Sequence, residues 1–109
     1  MNTYKGPERR KFPRVSASLL VSCRTKEKDF DLSQSENLSN QGILLLTRKK
    51  YQKGQALELI IRLPVLPANI KIDGEVVYSR RVPKDIIYAT GVKFYSFDQE
   101  LVDFISSRS

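Results

Sequence analysis

The fold is decided by residues 37–47, which read Asn37-Leu38-Ser39-Asn40-Gln41-Gly42-Ile43-Leu44-Leu45-Leu46-Thr47. The first six residues of this stretch are a dense cluster of turn formers, and a short apolar run of strand length follows at once. The run then ends in a basic connector, residues 48–53, closed by Gly54. This pattern predicts a sharp turn that feeds a buried strand.

The same pattern of strands and turns extends in both directions from this stretch. Partial alternation of apolar and polar residues, rich in β-branched side chains, predicts strands at 15–24, 29–38, 43–47, 57–63, 70–78 and 86–95. Pro64 and Pro67 end the fourth of these strands. Gly74 and Gly91 lie inside the last two, where glycine usually marks a bulge or a close backbone approach. We expect these two strands to form a hairpin.

The periodicity changes after Ser96 to the spacing of an amphipathic helix. Ser96 and Gln99 resemble a capping box, which predicts a helix over about 97–107 whose apolar face covers a barrel opening. Six short strands followed by one helix fit an all-β fold, a small six-stranded antiparallel β-barrel, better than an α/β sheet, whose crossovers need helices between strands.

Two regions are expected along the chain. Residues 1–14 hold five cationic side chains and one acidic one, with two prolines and a glycine, and predict a flexible basic arm. Residues 15–109 form the barrel domain with its helix. No stretch approaches the ~20 apolar residues that cross a bilayer, and the N-terminus lacks the apolar region of a signal peptide, so we expect no membrane insertion and a cytoplasmic location.

Charge favours an anionic partner. Nineteen Lys and Arg residues against twelve Asp and Glu residues leave a net charge of +7 over 109 residues. Nucleic acid, an acidic membrane surface and a small nucleotide all fit that balance.

Most catalytic chemistry is excluded by composition. The chain contains no histidine and a single cysteine, Cys23, so the usual zinc ligand sets, a Ser-His triad and an intramolecular disulfide cannot be built. Cys23 lies in an apolar run and is interpreted as a small buried hydrophobe. Neither a Walker loop nor a dinucleotide-binding glycine loop occurs. We therefore expect no enzymatic activity, no metal and no cofactor.

Two groups of residues remain as candidates for ligand binding. The arginines of the arm, Arg9, Arg10 and Arg14, carry planar guanidinium groups that pair bidentately with phosphate oxygens or with the guanine edge. In the turn, Asn37 and Ser39 supply short polar side chains, and Gly42 permits a positive φ and a close ligand approach. Each group alone also has a purely structural interpretation: the arginines as a basic tail, and the turn as an ordinary Asx or Ser turn.

Together the two groups resemble a known family. The arm reads Glu8-Arg9-Arg10-Lys11-Phe12-Pro13-Arg14-Val15, with RxxxR spacing at Arg10 and Arg14, and Asn37-Leu38-Ser39-Asn40-Gln41-Gly42 follows. This resembles the two-part signature of PilZ domains, RxxxR and [D/N]xSxxG, and the likeness continues through Gly74-Glu75-Val76-Val77 and Gly91-Val92-Lys93-Phe94. It covers roughly residues 8–105.

The resemblance implies a six-stranded barrel with a C-terminal helix that binds the bacterial second messenger cyclic di-GMP. Arg10 and Arg14 would hold a guanine edge and the phosphates, Asn37 and Ser39 would hydrogen-bond guanine, and Gly42 would shape the strand entry. A basic residue at Arg9 suits an intercalated ligand dimer, so one or two ligands per chain are expected.

The same resemblance implies a signalling role in motility, surface polysaccharide or biofilm formation. The composition of the arm, with Gly6 and Pro7 as points where it could swing, suggests the readout: binding would order the arm and so report to a downstream protein partner or fused domain, whose identity the sequence does not give. Two other interpretations stay open: a PilZ-like interaction module without ligand, and a basic barrel that binds single-stranded nucleic acid. The intact motifs argue against the first, and aromatic residues at strand positions argue against the second.

Overall fold

The computed structural model describes residues 14–27, 29–64 and 69–108. These residues form seven strands and one helix: β1 (Arg14–Ser16), β2 (Leu20–Arg24), β3 (Phe30–Ser39), β4 (Gly42–Thr47), β5 (Ala56–Arg62), β6 (Asn69–Arg81), β7 (Tyr88–Phe94) and α1 (Gln99–Arg108). The predicted all-β class and the predicted terminal helix are confirmed.

Six of the strands close into an antiparallel barrel. The hydrogen-bonded order is β3-β2-β5-β6-β7-β4, and pairing of β4 with β3 completes the ring. Strand β1 pairs with the last three residues of β3, beyond the part that β2 occupies. The six-stranded barrel predicted from the sequence is therefore present, with its first strand divided into β1 and β2.

The division of the first strand is held by one serine. The backbone N–H of Ser35 donates to the Leu19 carbonyl oxygen at 2.9 Å, and the Ser35 hydroxyl accepts the Leu19 N–H at 2.9 Å and donates to the Ala17 carbonyl. The first strand begins one residue earlier than expected. Arg14, assigned above to the arm, pairs with Ser39 as the first residue of β1. The rest of the predicted arm, residues 1–13, lies outside the described residues.

The core follows from alternation. Strands β5 and β6 alternate buried and more exposed residues along nearly their whole length, so each contributes every second side chain to the interior. The resulting hydrophobic cluster also takes in Cys23, which is fully buried, as its interpretation as a small hydrophobe predicts.

Helix α1 packs on β1 and β3 and adds its apolar face to this cluster. Leu101, Phe104 and Ile105 are at most 3% exposed. The cap differs from the expectation, because the helix begins at Gln99 and the Asp98 carboxylate accepts the Leu101 N–H at 3.1 Å. Asp98 is thus the N-cap, since its carboxylate reaches the third helical N–H, and Ser96 lies two residues outside. This helix of ten residues is too short to cross a membrane. The described residues contain no helix that is long and apolar enough to do so.

The barrel has two distinct ends. The turn between β3 and β4 lies at one of them, which we call the hairpin end, and α1 follows β7 there. The basic connector, residues 48–53, and the β6–β7 turn lie at the other, the connector end. Tyr51 closes the connector end; the residue is 3% exposed, and its hydroxyl donates to the Asp31 carboxylate at 3.3 Å.

A chain of hydroxyl groups fixes the connector to the barrel. The Tyr51 N–H donates to Ser79 Oγ at 3.1 Å, and Ser79 Oγ lies 2.8 Å from Thr90 Oγ1. Thr90 Oγ1 lies 2.9 Å from Thr47 Oγ1, which donates to the Lys49 carbonyl at 2.8 Å. Because the last hydroxyl must donate outward, each earlier one donates to the next, and the buried chain is fully satisfied.

Candidate functional site

A cleft of about 340 Å³ lies at the hairpin end, on the outer surface of β3, β4, β7 and β6. That volume is in the range of small-molecule sites. It is lined by Arg14, Asn37, Leu38, Ser39, Gln41, Gly42, Ile43, Leu44, Val77, Tyr78, Gly91, Val92 and Lys93.

A bulge in β3 turns Asn37 toward this cleft. The register between β3 and β4 shifts between Ser35 and Asn37, which leaves Glu36 as the extra residue. Ser35 is buried, Glu36 is exposed and Asn37 is half-buried, so two consecutive residues leave the interior before Leu38 returns to it. Without the extra residue, strict alternation would place Asn37 on the core side with Ser35.

A second bulge acts in the same way on β6. The register between β6 and β7 shifts between Val76 and Tyr78, which leaves Val77 as the extra residue. Val76 is fully buried, whereas Tyr78 is half-buried and lines the cleft. Both sides of the cleft thus depend on an extra residue that changes which face the following side chain occupies.

The floor of the cleft between the bulges is one cross-strand row. Asn37 pairs with Leu44, Leu44 pairs with Gly91, and Gly91 pairs with Tyr78. At about 4.8 Å between neighbouring strands, the row spans about 14 Å.

Gly91 makes room for the tyrosine ring. A Cβ at position 91 would lie 2.6 Å from Tyr78 Cε2 and 2.8 Å from Cζ, so the ring occupies the space that any other residue would fill. The Arg80 guanidinium carbon lies 4.5 Å from the centroid of the same ring. Tyr78 is therefore an aromatic ring packed on a glycine, with a guanidinium over it.

The turn at the rim is organised by Ser39. Its Oγ accepts the N–H groups of Gln41 at 3.2 Å and Gly42 at 3.3 Å. The role expected for Gly42 is partly corrected: among the described residues the glycine with a positive φ is Gly54, so Gly42 needs no left-handed backbone. Glycine is required there by space, because a Cβ would overlap the carbonyl oxygen of Val92.

The polar lining is cationic. Arg14 and Lys93 both line the cleft with exposed side chains, and no carboxylate is among its described lining residues. Arg14 pairs with Ser39, so the two lie directly opposite each other on neighbouring strands. Such a cleft offers cations, an amide and a hydroxyl to an anionic, hydrogen-bonding ligand.

Four of the six residues singled out from the sequence lie together here: Arg14, Asn37, Ser39 and Gly42. Arg9 and Arg10 lie outside the described residues. Tyr78 and Lys93 line the same cleft and were missed, since both occupy ordinary strand positions in the sequence. Gly91, a glycine inside a strand, was the available signal for a large side chain from a neighbouring strand.

Comparison with known proteins gives a family match over nearly the whole chain. The model of the PilZ domain family matches residues 8–107. A search of the curated proteins found no match.

Several solved structures share the fold. The Bacillus subtilis inhibitor of motility (MotI/DgrA) is 25% identical with a TM-score of 0.78, over 93% of this chain and 51% of that chain. The PilZ domain of YcgR from Escherichia coli, solved with cyclic di-GMP, is 16% identical with a TM-score of 0.73, over 93% of this chain and 92% of that chain. MrkH of K. pneumonia in complex with cyclic di-GMP is 20% identical with a TM-score of 0.70, over 92% of this chain and 50% of that chain. The chain thus spans about half the length of the first and the third of these proteins.

Proposed function

We propose that this chain, which belongs to the PilZ domain family, is a bacterial receptor module that binds cyclic di-GMP and catalyses no reaction of its own. The observation that carries the proposal is the cleft, in which Arg14, Asn37 and Ser39 meet and no described lining residue is acidic. The cyclic di-GMP complexes of two proteins with the same fold support it.

The motif residues contact different parts of the ligand. Arg14, together with Arg10, holds the phosphates and a guanine edge, because a guanidinium pairs bidentately with either. Asn37 hydrogen-bonds guanine through its amide, and Ser39 does so through its hydroxyl.

The cleft adds two contacts that the motifs do not include. Lys93, opposite Gly42 on β7, supplies a further cation for the phosphates. The ring of Tyr78, together with the Arg80 guanidinium that lies over it, supplies a stacking surface for a guanine base at the far end of the row. Arg9 supplies the charge that a second, intercalated ligand needs, so the stoichiometry is one or two ligands per chain.

Signalling follows from the position of β1. Arg14 faces outward into the cleft, whereas its neighbour Val15 is 8% exposed and belongs to the cluster that α1 completes. A ligand that binds Arg9, Arg10 and Arg14 together orders the preceding arm against the barrel. The same ligand contacts β1 through Arg14, and β1 in turn contacts α1. A downstream partner or fused domain in the cytoplasm then recognises the changed surface, in a pathway of motility or biofilm control.

The test is a calorimetric titration of the purified chain with cyclic di-GMP, with GMP and cyclic di-AMP as controls. Loss of one arginine that makes charged hydrogen bonds costs ~1.5–3 kcal/mol or more, so Arg10→Ala and Arg14→Ala should each weaken binding roughly tenfold to over a hundredfold. Arg48→Ala is the matched control, because Arg48 follows Thr47 at the opposite end of β4 from the cleft.

Saturable, guanine-selective binding that is lost in the two variants and kept in the control would support the receptor. Its stoichiometry would decide between one ligand and two. Equal losses at all three arginines would contradict a localised site, and absence of binding would favour a ligand-free interaction module. Hydrogen exchange of residues 1–15 with saturating ligand tests the readout separately, since unchanged exchange would contradict ordering of the arm.

A further inference from the structure

Two basic segments meet at the connector end of the barrel. Thr47, at the end of β4, and Arg81, at the end of β6, both pair with Tyr88 from opposite sides. The residues that follow in each strand are therefore neighbours in space. We call this surface the basic tip; it carries Arg48, Lys49, Lys50, Arg81 and Lys84, whereas Arg80 lies over the Tyr78 ring of the cleft.

Acidic groups offset only part of this charge. The Asp85 carboxylate accepts the Ile86 N–H at 2.8 Å, and the Asp29 carboxylate lies 4.0 Å from the Lys49 ammonium. With Asp31, whose carboxylate accepts the Tyr51 hydroxyl at the same end of the barrel, five cations less three carboxylates leave a local charge of 5 − 3 = +2. The surface is therefore positive after its own ion pairs are counted.

An apolar side chain projects from the middle of this charge. Ile86 is 80% exposed, in a turn closed by the Val82 N–H to the Ile87 carbonyl at 3.0 Å and the Asp85 N–H to the Val82 carbonyl at 3.1 Å. The Arg81 Nε–H donates to the Asp85 carbonyl at 3.0 Å and braces the same turn. A single exposed isoleucine is common on protein surfaces, but one held outward on a hydrogen-bonded turn among five cations combines the two features of surfaces that bind membranes.

The basic tip is separate from the nucleotide cleft. Strand β4 runs from Gly42 in the cleft to Thr47 at the tip, about 16 Å at a rise of ~3.3 Å per residue. This is about twice the ~8 Å screening length at physiological salt. The tip is therefore a second cationic, anion-binding surface rather than an extension of the first.

We propose that the basic tip docks on the surface of an anionic lipid bilayer, with Ile86 entering the headgroup region and the surrounding cations facing lipid phosphates and carboxylates. The convex turn favours a bilayer over an acidic protein, because a flat surface of laterally mobile charge needs no pocket shaped for Ile86. This docking does not depend on cyclic di-GMP binding.

The first test uses the absence of tryptophan from the chain. Ile86→Trp places the sole tryptophan at the tip, so its emission reports on that position alone. We expect a blue shift on adding phosphatidylcholine vesicles that contain phosphatidylserine, and none with phosphatidylcholine alone. An unshifted spectrum with the anionic vesicles would overturn the proposal.

The second test compares two variants of equal net charge by vesicle co-sedimentation. Arg48→Gln with Lys84→Gln removes two cations from the tip, and Arg62→Gln with Lys71→Gln removes the same two residue types from β5 and β6. Each surface cation contributes roughly fivefold to partitioning, so the tip variant should bind roughly tenfold more weakly or worse, and the control much less so.

Equal losses in the two variants would mean general electrostatics and would overturn a localised docking surface. Binding to soluble polyglutamate without binding to anionic vesicles would assign the tip to an acidic protein and would also overturn the lipid proposal. Urea unfolding of the tip variant shows whether it is folded, and cyclic di-GMP titration of the same protein tests the receptor function independently.

Discussion

Asn37 and Tyr78 stand at the two ends of one cross-strand row, and each reaches the outer surface because a one-residue bulge precedes it. Leu44 and Gly91 lie between them in the same row. The cleft is thus bounded by two side chains whose direction is set by backbone irregularities on separate strands. A hydrogen-bonding group at one end and an aromatic ring at the other can hold different parts of one dinucleotide.

Removal of the Tyr78 ring should weaken binding without unfolding the barrel. Base stacking on an aromatic residue contributes about 1–3 kcal/mol, so Tyr78→Ala should raise the Kd for cyclic di-GMP roughly fivefold to a hundredfold. Tyr78→Phe keeps the ring and should bind nearly as the wild type in the same titration. If Phe were as weak as Ala, the hydroxyl rather than stacking would be the important group.

Gly91→Ala should act through Tyr78. The new Cβ would meet the ring at 2.6 Å, and the flexible tyrosine side chain must move away. We expect weaker binding of cyclic di-GMP, by roughly the loss seen in Tyr78→Ala.

A double-mutant cycle checks this mechanism. In the Tyr78→Ala background, Gly91→Ala has no ring to displace, so it should leave the Kd nearly unchanged. Additive losses in the double variant would show that Gly91 affects the ligand directly.

The buried hydroxyl chain should stabilise the connector end. Thr90→Val keeps the shape of a fully buried residue but removes the hydroxyl between Ser79 and Thr47. Loss of the hydrogen bonds should lower the free energy of unfolding by about 1–3 kcal/mol in urea titration, with little change in cyclic di-GMP affinity. A Thr90→Ser variant keeps the hydroxyl and separates this effect from simple cavity formation.

Alkaline pH should weaken the fold through Cys23. Burial raises the pKa of this thiol from 9.0 to about 11. Since the unfolded thiol releases its proton first, the contribution of Cys23 to stability is complete below pH 9 and is lost as pH rises toward 11, by up to about 2–3 kcal/mol.

Urea unfolding of the wild type and Cys23→Ala at neutral pH and across this interval measures the effect. The stability difference between the two proteins should shrink as pH rises. Burial also raises the pKa of Tyr51, so high pH destabilises both proteins through this residue. The informative quantity is therefore the difference in stability between the two proteins and not the absolute stability of either. A difference that is constant with pH would contradict the raised thiol pKa.

The sequence predicted the barrel because alternation in strands such as β5 and β6 records which side faces the core. It did not predict the bulges at Glu36 and Val77, since neither residue type has a preference that marks an extra position in a strand. For this reason the motif predicts a binding role for Asn37, whereas nothing in the sequence distinguishes Tyr78 from other aromatic residues in strands. The contacts expected of Arg9 and Arg10 remain predictions, because both lie outside the described residues.

The closed ring also limits how another polypeptide can attach. Among the described strands, every member of the ring has hydrogen-bonded neighbours on both sides, whereas β1 has only β3. Addition of an extended peptide by backbone pairing is therefore favoured at β1, three residues that begin with Arg14. Recognition of that kind would compete for, or depend on, the same short segment that carries Arg14, one of the residues proposed to bind the nucleotide.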